Sequence, residues 1–214
     1  MKKFNSNLTS SLIEDYILEK TRVEDPIIDE MHEYAEQNEV PIIGPLVGKF
    51  LYQMALITNA KSIFEMGSGF GYSAYWFTKA FKGEGKIICT DFSKEHKEAA
   101  ESFFKKANME IYLDFISGNS IEIIKELKLS FDIIFIDVDK EQYPEVIEIS
   151  YEKLNKNGIM IADNTLWYGR VIEDDELPST KGIKIFNNLI SKDNRFVTTI
   201  LPLRDGVTVS YKKD

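Results

Sequence analysis

From Lys61 onward the chain alternates short apolar runs with stretches of helical period. SIFEM at 62–66, KIICTD at 86–91, IYLDFIS at 111–117, FDIIFID at 131–137 and GIMIAD at 158–163 are the apolar runs. Runs too apolar for a half-exposed sheet, with helical segments between them, predict βαβ units and a parallel sheet covered on both faces. Near the C-terminus the rhythm changes. RFVTTILPL and VTVSYKK are joined through Arg204, Asp205 and Gly206, and Asp-Gly between two β-rich runs predicts an antiparallel hairpin at the sheet edge. Ahead of Lys61, Leu12, Ile13, Tyr16 and Ile17 share one helical stripe and Leu46, Phe50, Leu51 and Met54 another. Two such stripes predict amphipathic helices laid against a core, with Pro41 and Pro45 punctuating the approach to the second.

The pattern therefore predicts an α/β fold: a doubly wound, Rossmann-like sheet of seven strands, mostly parallel, with a C-terminal antiparallel hairpin and N-terminal helices. No repeat or linker interrupts it, so one domain is expected over 1–214, with a helical portion at 1–58 and the sheet-bearing core at 59–214. The stretch from Leu166 to Thr180 reads as a long irregular connection rich in acidic and aromatic residues. Long loops at the carboxyl ends of parallel strands shape substrate sites.

Composition narrows the chemistry. With 43% hydrophobic and 29% charged residues, the chain has the material for a packed core and is not a disordered tract. No apolar run is long enough for a membrane span, and MKKFNSNLTSSLIEDY lacks the apolar centre of a secretory signal. A cytoplasmic protein with no membrane partner is expected. The lone Cys89 forms no internal disulfide, and with His32 and His96 far apart in sequence a Cys/His zinc site is disfavoured. Any metal then needs oxygen ligands. A net charge of −9 opposes nonspecific binding to phosphate backbones and favours small-molecule chemistry.

The first apolar run leads into Glu65-Met66-Gly67-Ser68-Gly69-Phe70-Gly71-Tyr72-Ser73. Glycines here allow a sharp turn and close ligand approach, and the following helix start offers free N–H groups. A dinucleotide fingerprint needs a third glycine at position 72, where Tyr72 stands. Glu65 would repel a pyrophosphate but suits a cationic ligand such as S-adenosylmethionine. Asp91, at the end of the second run, is placed to accept the hydroxyls of an adenosine ribose. Each feature alone also reads as a tight turn or a strand-end cap; their order, strand, Glu65, glycines, helix, strand, Asp91, favours a nucleotide-type cofactor.

Further along, FDIIFI leads to Asp137-Val138-Asp139-Lys140 and GIMIA to Asp163-Asn164. Both strand ends fall at the carboxyl edge of the predicted sheet, so Asp137, Asp163 and Asn164 can converge as hard oxygen donors for Mg²⁺, Ca²⁺ or Mn²⁺. The bland reading makes Asp163-Asn164 a turn or helix cap and Asp137 a solvated acid. Asp139 reads as a cofactor contact or a surface charge. Lys140 reads as a surface lysine or as a general base whose ammonium form a neighbouring cation disfavours. Trp167 and Tyr168 read as walls for an aromatic acceptor or as packing against the sheet.

EMGSGFGYS at 65–73, Thr90-Asp91, FIDVDK at 135–140, DNTLWYGRV at 163–171 and LPLRDGVTVSYKK near the end together resemble the cation-dependent class I O-methyltransferases. This is the S-adenosylmethionine-dependent family of caffeoyl-CoA and catechol O-methyltransferases and their small bacterial relatives. The resemblance implies cofactor contacts from Glu65, Gly67, Ser73, Asp91 and Asp139, with Ser120 near the adenine. It implies metal ligation by Asp137, Asp163 and Asn164, and Lys140 as catalytic base with Asp137 beside it. Pro41, Ile42 and Ile43 replace the threonine and methionine of plant members, and no CoA-binding feature is recognisable. The expected reaction is methyl transfer to a hydroxyl of a catechol-like small molecule, by a homodimer. The alternatives are 5-hydroxyuridine in transfer RNA, served by a patch of Lys2, Lys3, Lys49, Lys61 and Arg170, and, outside the class, an NAD(P)-dependent oxidoreductase or a noncatalytic cofactor-binding module.

Overall fold

The computed structural model describes residues 10–213. Strands β1 (Ser62–Met66), β2 (Lys86–Asp91), β3 (Leu113–Ser117), β4 (Phe131–Ile136), β5 (Leu154–Ala162), β6 (Phe196–Leu201) and β7 (Val207–Lys212) form one sheet in the order β3-β2-β1-β4-β5-β7-β6. The first five pair in parallel; β7 is antiparallel to both β5 and β6. This is the predicted sheet. Its central strands are buried on both sides, so each feeds two cores by alternation. Ile63, Ile133 and Phe135 point into a core under α2 (Pro26–Gln37), α3 (Gly44–Ile57), α4 (Tyr72–Thr78) and α5 (Lys94–Lys106). Phe64, Met66, Ile134 and Ile136 point into a second core under α6 (Ser120–Glu126), α7 (Tyr143–Lys153) and α8 (Pro178–Ile190).

The chain winds outward from β1 to β3 and then returns to lay β4 on the other side of β1. Between β1 and β4 the direction of winding reverses, and the crevice at the carboxyl ends of these strands is where open α/β sheets bind ligands. Gly67 and Asp137 meet there: a Cβ on Gly67 would lie 2.3 Å from the Asp137 carbonyl oxygen, and its φ is +81°. Only glycine lets the two strand ends close up this far.

The helical portion departs from the prediction. α1 (Ser11–Thr21) forms, but its stripe is not laid against a core: Leu12 is 77% exposed and Tyr16 58%, and the helix buries no residue. A periodic stripe shows that a helix has an apolar side; it does not show that the same chain supplies a surface opposite. α2 carries the packing that the reading assigned to α1. Asp25 caps it by accepting from the Ile27 and Ile28 N–H groups, Pro26 opens it, and Ile28, Met31 and Ala35 are buried. In α3 the buried line is Val47, Gly48, Leu51 and Ala55, while Phe50 and Met54 are only half-buried. The cause is Gly48, where a Cβ would strike the Trp76 indole at 2.3 Å. The small residues turn inward to admit that ring. Among the described residues, no helix is long and apolar enough to cross a membrane.

Candidate active site

The glycine loop after β1 is held to the end of β2 by a set of short hydrogen bonds. The Ser68 N–H donates to the Thr90 carbonyl at 2.8 Å, the Thr90 N–H to Ser68 Oγ at 3.0 Å, and Thr90 Oγ1 to the Glu65 carbonyl at 2.7 Å. Asp91 accepts from the Gly69 N–H at 3.1 Å and from the Ser93 N–H at 2.8 Å, and its Oδ1 lies 3.1 Å from His96 Nδ1. The loop conformation that positions these donors needs Gly67, Gly69 and Gly71 at positive φ.

A cavity of about 480 Å³ opens over this loop. Of the sequence-predicted residues, Gly67, Asp91, Ser120, Asp137, Asp139 and Lys140 line it, together with Phe92, His96 and Trp167. Ser73 lines a small adjoining recess with Gly67, Tyr72 and Asp137. Glu65 lines neither. It is wholly buried, receives the Ser73 hydroxyl, and has Cys89 Sγ at 3.6 Å. Burial pushes its carboxyl up to about 8, the Ser73 hydrogen bond opposes the rise, and the Asp137 charge adds to it.

Asp137 follows β4 and Asp163 follows β5, and the parallel pairing of those strands sets the two side by side. Lys140 Nζ donates to Asp137 Oδ1 at 2.8 Å, to the Val138 carbonyl at 3.2 Å and to the Tyr143 hydroxyl at 3.1 Å. Tyr143, wholly buried, donates its own O–H to the Asp163 carbonyl at 2.9 Å. Asp163 is 1% exposed; its Oδ2 accepts from Asn164 Nδ2 at 3.2 Å, and its Oδ1 has no hydrogen-bond partner. Burial holds the Asp163 carboxyl well above the usual carboxylate range, and the Asp137 and Asp205 charges push the same way.

Asp205, from the turn before β7, completes the cluster. It is wholly buried, accepts from Asn164 Nδ2 at 2.8 Å through Oδ2, and leaves Oδ1 unpartnered. Buried carboxylate oxygens without donors are costly. Hard oxygen donors in surplus over local cations are what a divalent ion of the Mg²⁺ or Ca²⁺ type requires. Among the described residues, no three His, Cys, Asp or Glu side chains group at metal-binding spacing; two carboxylates, Asp137 and Asp163, and the Asn164 amide are the side chains here whose donor chemistry suits such an ion.

Sequence reasoning missed His96, Tyr143, Arg204 and Asp205. Tyr143 stands three residues beyond Lys140, and its helical spacing was a usable signal. Arg204 Nη1 donates to the Ile42 carbonyl at 2.6 Å, tying the Pro41–Ile43 segment, whose Pro41 lines the cavity, to the hairpin. Nothing local in Arg204-Asp205-Gly206 distinguishes this role from an ordinary turn.

A family model described as O-methyltransferase matches residues 18–213. The chain belongs to the O-methyltransferase family. This S-adenosylmethionine-dependent methyltransferase of class I is similar to a caffeoyl-CoA O-methyltransferase of Medicago sativa. The two are 31% identical over 175 residues, covering 76% of this chain and 71% of that protein. It is also similar to a catechol O-methyltransferase of Niastella koreensis, 28% identical over 181 residues, with 80% and 82% covered. Among solved structures, the O-methyltransferase from Bacillus cereus in complex with SAH superposes with a TM-score of 0.86 at 26% identity, covering 94% of this chain and 97% of that one. The resemblance read from the motifs thus holds for the methyltransferase, and the oxidoreductase alternative falls away.

Proposed function

We propose that this methyltransferase moves the methyl group of S-adenosylmethionine to a hydroxyl of a catechol-like small molecule, with a divalent cation held by Asp137, Asp163 and Asn164. The observation that carries the reading is the pair of buried, unpartnered carboxylate oxygens, Asp163 Oδ1 and Asp205 Oδ1, in the acid cluster whose member Asp137 shares a cavity with the glycine loop. When bound, the ion supplies Lewis acidity that favours the oxyanion of a chelated hydroxyl. The donor supplies an electrophilic methyl on a sulfonium sulfur.

The rest falls to the chain's own side chains. Asp91, held in place by the Gly69 and Ser93 N–H groups, receives the ribose hydroxyls, while Ser120 and Phe92 wall the adenine end and Asp139 stands at the rim. Gly67, Ser73 and the buried Glu65 serve the amino-acid end. Lys140 is the side chain placed to take the acceptor's proton at Nζ; Tyr143 and Asp137 fix where that nitrogen sits. Trp167 and Pro41 flank the remaining space, orienting a flat acceptor and excluding water, and alignment of this kind removes much of the entropic barrier.

The acceptor assignment draws on the catechol named for the Niastella relative and on the acidic rim, where Asp139 and Glu141 line the cavity mouth. A transfer-RNA acceptor needs a basic surface, and two members of the predicted patch are engaged elsewhere. Lys49 donates to the Thr21 carbonyl, and Lys61 pairs with Glu84 at the opposite end of β1 from the cavity. Lys2 and Lys3 lie outside the described residues.

The test is product analysis with S-adenosylmethionine and catechol, in Mg²⁺ and in excess chelator. Methylated catechol formed only with Mg²⁺ is expected. Equal turnover in chelator removes the cation from the mechanism, and methylation of 5-hydroxyuridine-bearing transfer RNA with none of catechol replaces the acceptor.

A further inference from the structure

We infer that Asp205 is a positioning residue that orients the Asn164 amide for the cation site; the inference rests on the metal reading above. The Asn164 side-chain nitrogen lies between two carboxylate oxygens, Asp163 Oδ2 at 3.2 Å and Asp205 Oδ2 at 2.8 Å. In both contacts the amide nitrogen is the donor, which turns its two N–H bonds toward these oxygens and its own oxygen away. Among the described residues nothing donates to that oxygen, which is left free as a ligand. An amide turned the other way would offer N–H groups to a cation and bind nothing. The shorter of the two contacts, and so the stronger constraint on this choice, is the one from Asp205.

The backbone around Asp205 serves the same loop. Its carbonyl accepts from the Leu166 N–H at 2.9 Å and the Trp167 N–H at 3.0 Å, and the Gly206 carbonyl accepts from the Thr165 N–H at 2.9 Å. Thr208 Oγ1 adds a bond to Thr165 Oγ1 at 2.9 Å. These contacts hold a segment whose Asn164, Trp167 and Tyr168 all have positive φ, a conformation that persists only where the surroundings impose it. The approach is close enough to require Gly206, whose φ is +101° and whose added Cβ would lie 2.4 Å from the Leu166 nitrogen. An Asp that merely began a hairpin turn would sit in solvent. This one is wholly buried, with one oxygen unpartnered.

The inference is tested by titrating Mn²⁺ alone into the folded protein and reading free Mn²⁺ by electron paramagnetic resonance, with no donor or acceptor present. Asp205→Ala is expected to weaken Mn²⁺ binding about 10- to 100-fold, the usual effect of losing an outer partner of a metal ligand. Asp205→Asn, which keeps an oxygen acceptor for the Asn164 amide, is expected to stay within about 3-fold of the unmodified protein, well short of that loss. The double variant Asn164→Ala/Asp205→Ala is expected to bind no more weakly than Asn164→Ala alone, because the group through which Asp205 acts is already gone. Should Asp205→Ala fail to fold, Asp205→Leu, which fills the buried space, carries the same comparison. Unchanged affinity in the Ala or Leu variant overturns the inference, as does an Asn variant as weak as Ala or fully additive losses in the double variant. If the unmodified protein takes up no Mn²⁺, the metal reading itself fails and the inference goes with it. If it binds and Asp205 proves indifferent, the metal reading stands alone.

Discussion

Asp91 at the tip of β2 and Asp163 just beyond β5 stand at comparable places on either side of the sheet's centre, in different surroundings. Asp91 accepts two backbone N–H groups and has His96 beside it. Asp163 is almost fully enclosed, faces Asp137 and Asp205, and leaves one oxygen unpartnered. The first half of the site is finished by its own hydrogen bonds and can wait for a ligand at no cost. The second stores unfavourable electrostatics that a cation would relieve, so it trades stability of the empty protein for binding.

The largest expected consequence concerns activity. Asp163→Asn should lower Mg²⁺-dependent methylation by at least about 100-fold, in line with removal of a group acting on developing charge, while calorimetry shows little change in S-adenosylmethionine affinity. Retained activity would erase the functional difference between the two halves. Next, Asp91→Ala should weaken S-adenosylmethionine roughly 10- to 100-fold, the scale of losing hydrogen bonds to a charged group, and leave Mn²⁺ affinity intact.

The two substitutions should also move the melting temperature of the ion-free protein in opposite directions. Asp91→Ala lowers it by orphaning the Gly69 and Ser93 N–H groups, whereas Asp163→Asn raises it by relieving the crowding of Asp163 with Asp137 and Asp205. Scanning calorimetry in chelator checks the sign, and a fall in both would show that Asp163 is as well accommodated as Asp91. Adding Mn²⁺ at about 100 times its dissociation constant should then stabilise the unmodified and Asp91→Ala proteins by about 2.7 kcal/mol and leave Asp163→Asn unmoved.

The smallest effect belongs to Glu65, between the halves. Its carboxyl is raised from 4.5 to about 8, so the folded protein holds a proton that the unfolded chain releases. The stability this contributes is complete below pH 4.5 and is lost as pH rises through about 8. Melting temperature should therefore decline between about pH 4.5 and 8 in chelator, and Glu65→Gln should flatten the decline. An equal slope in both proteins would place the titrating group elsewhere.

Much of this was legible along the chain because it is local. A strand of β-rich apolar residues, a glycine that must turn at positive φ, and an Asp-Gly hairpin declare themselves within a few neighbours. So the seven strands, the glycine loop and the strand-tip acids Asp91, Asp137 and Asp163 were all readable, and the motif order carried the family. Local reading also had its failures. The stripe of α1 is real yet faces outward, and α3 is turned by the meeting of Gly48 with Trp76, a contact between helices that periodicity does not encode.

Which groups meet across the sheet was settled only by the tertiary structure. Asn164 and Asp205 are 41 residues apart and touch because β7 pairs with β5. Tyr143 reaches the Asp163 carbonyl, 20 residues on, because β4 ends beside β5. The Glu65 carboxyl is raised because the fold closes over it, a matter of desolvation and not of residue type. Residue order along the chain specified the elements and the kinds of atom at their tips. Strand order, and the exclusion of water that follows from it, decided which of those atoms are left needing a partner.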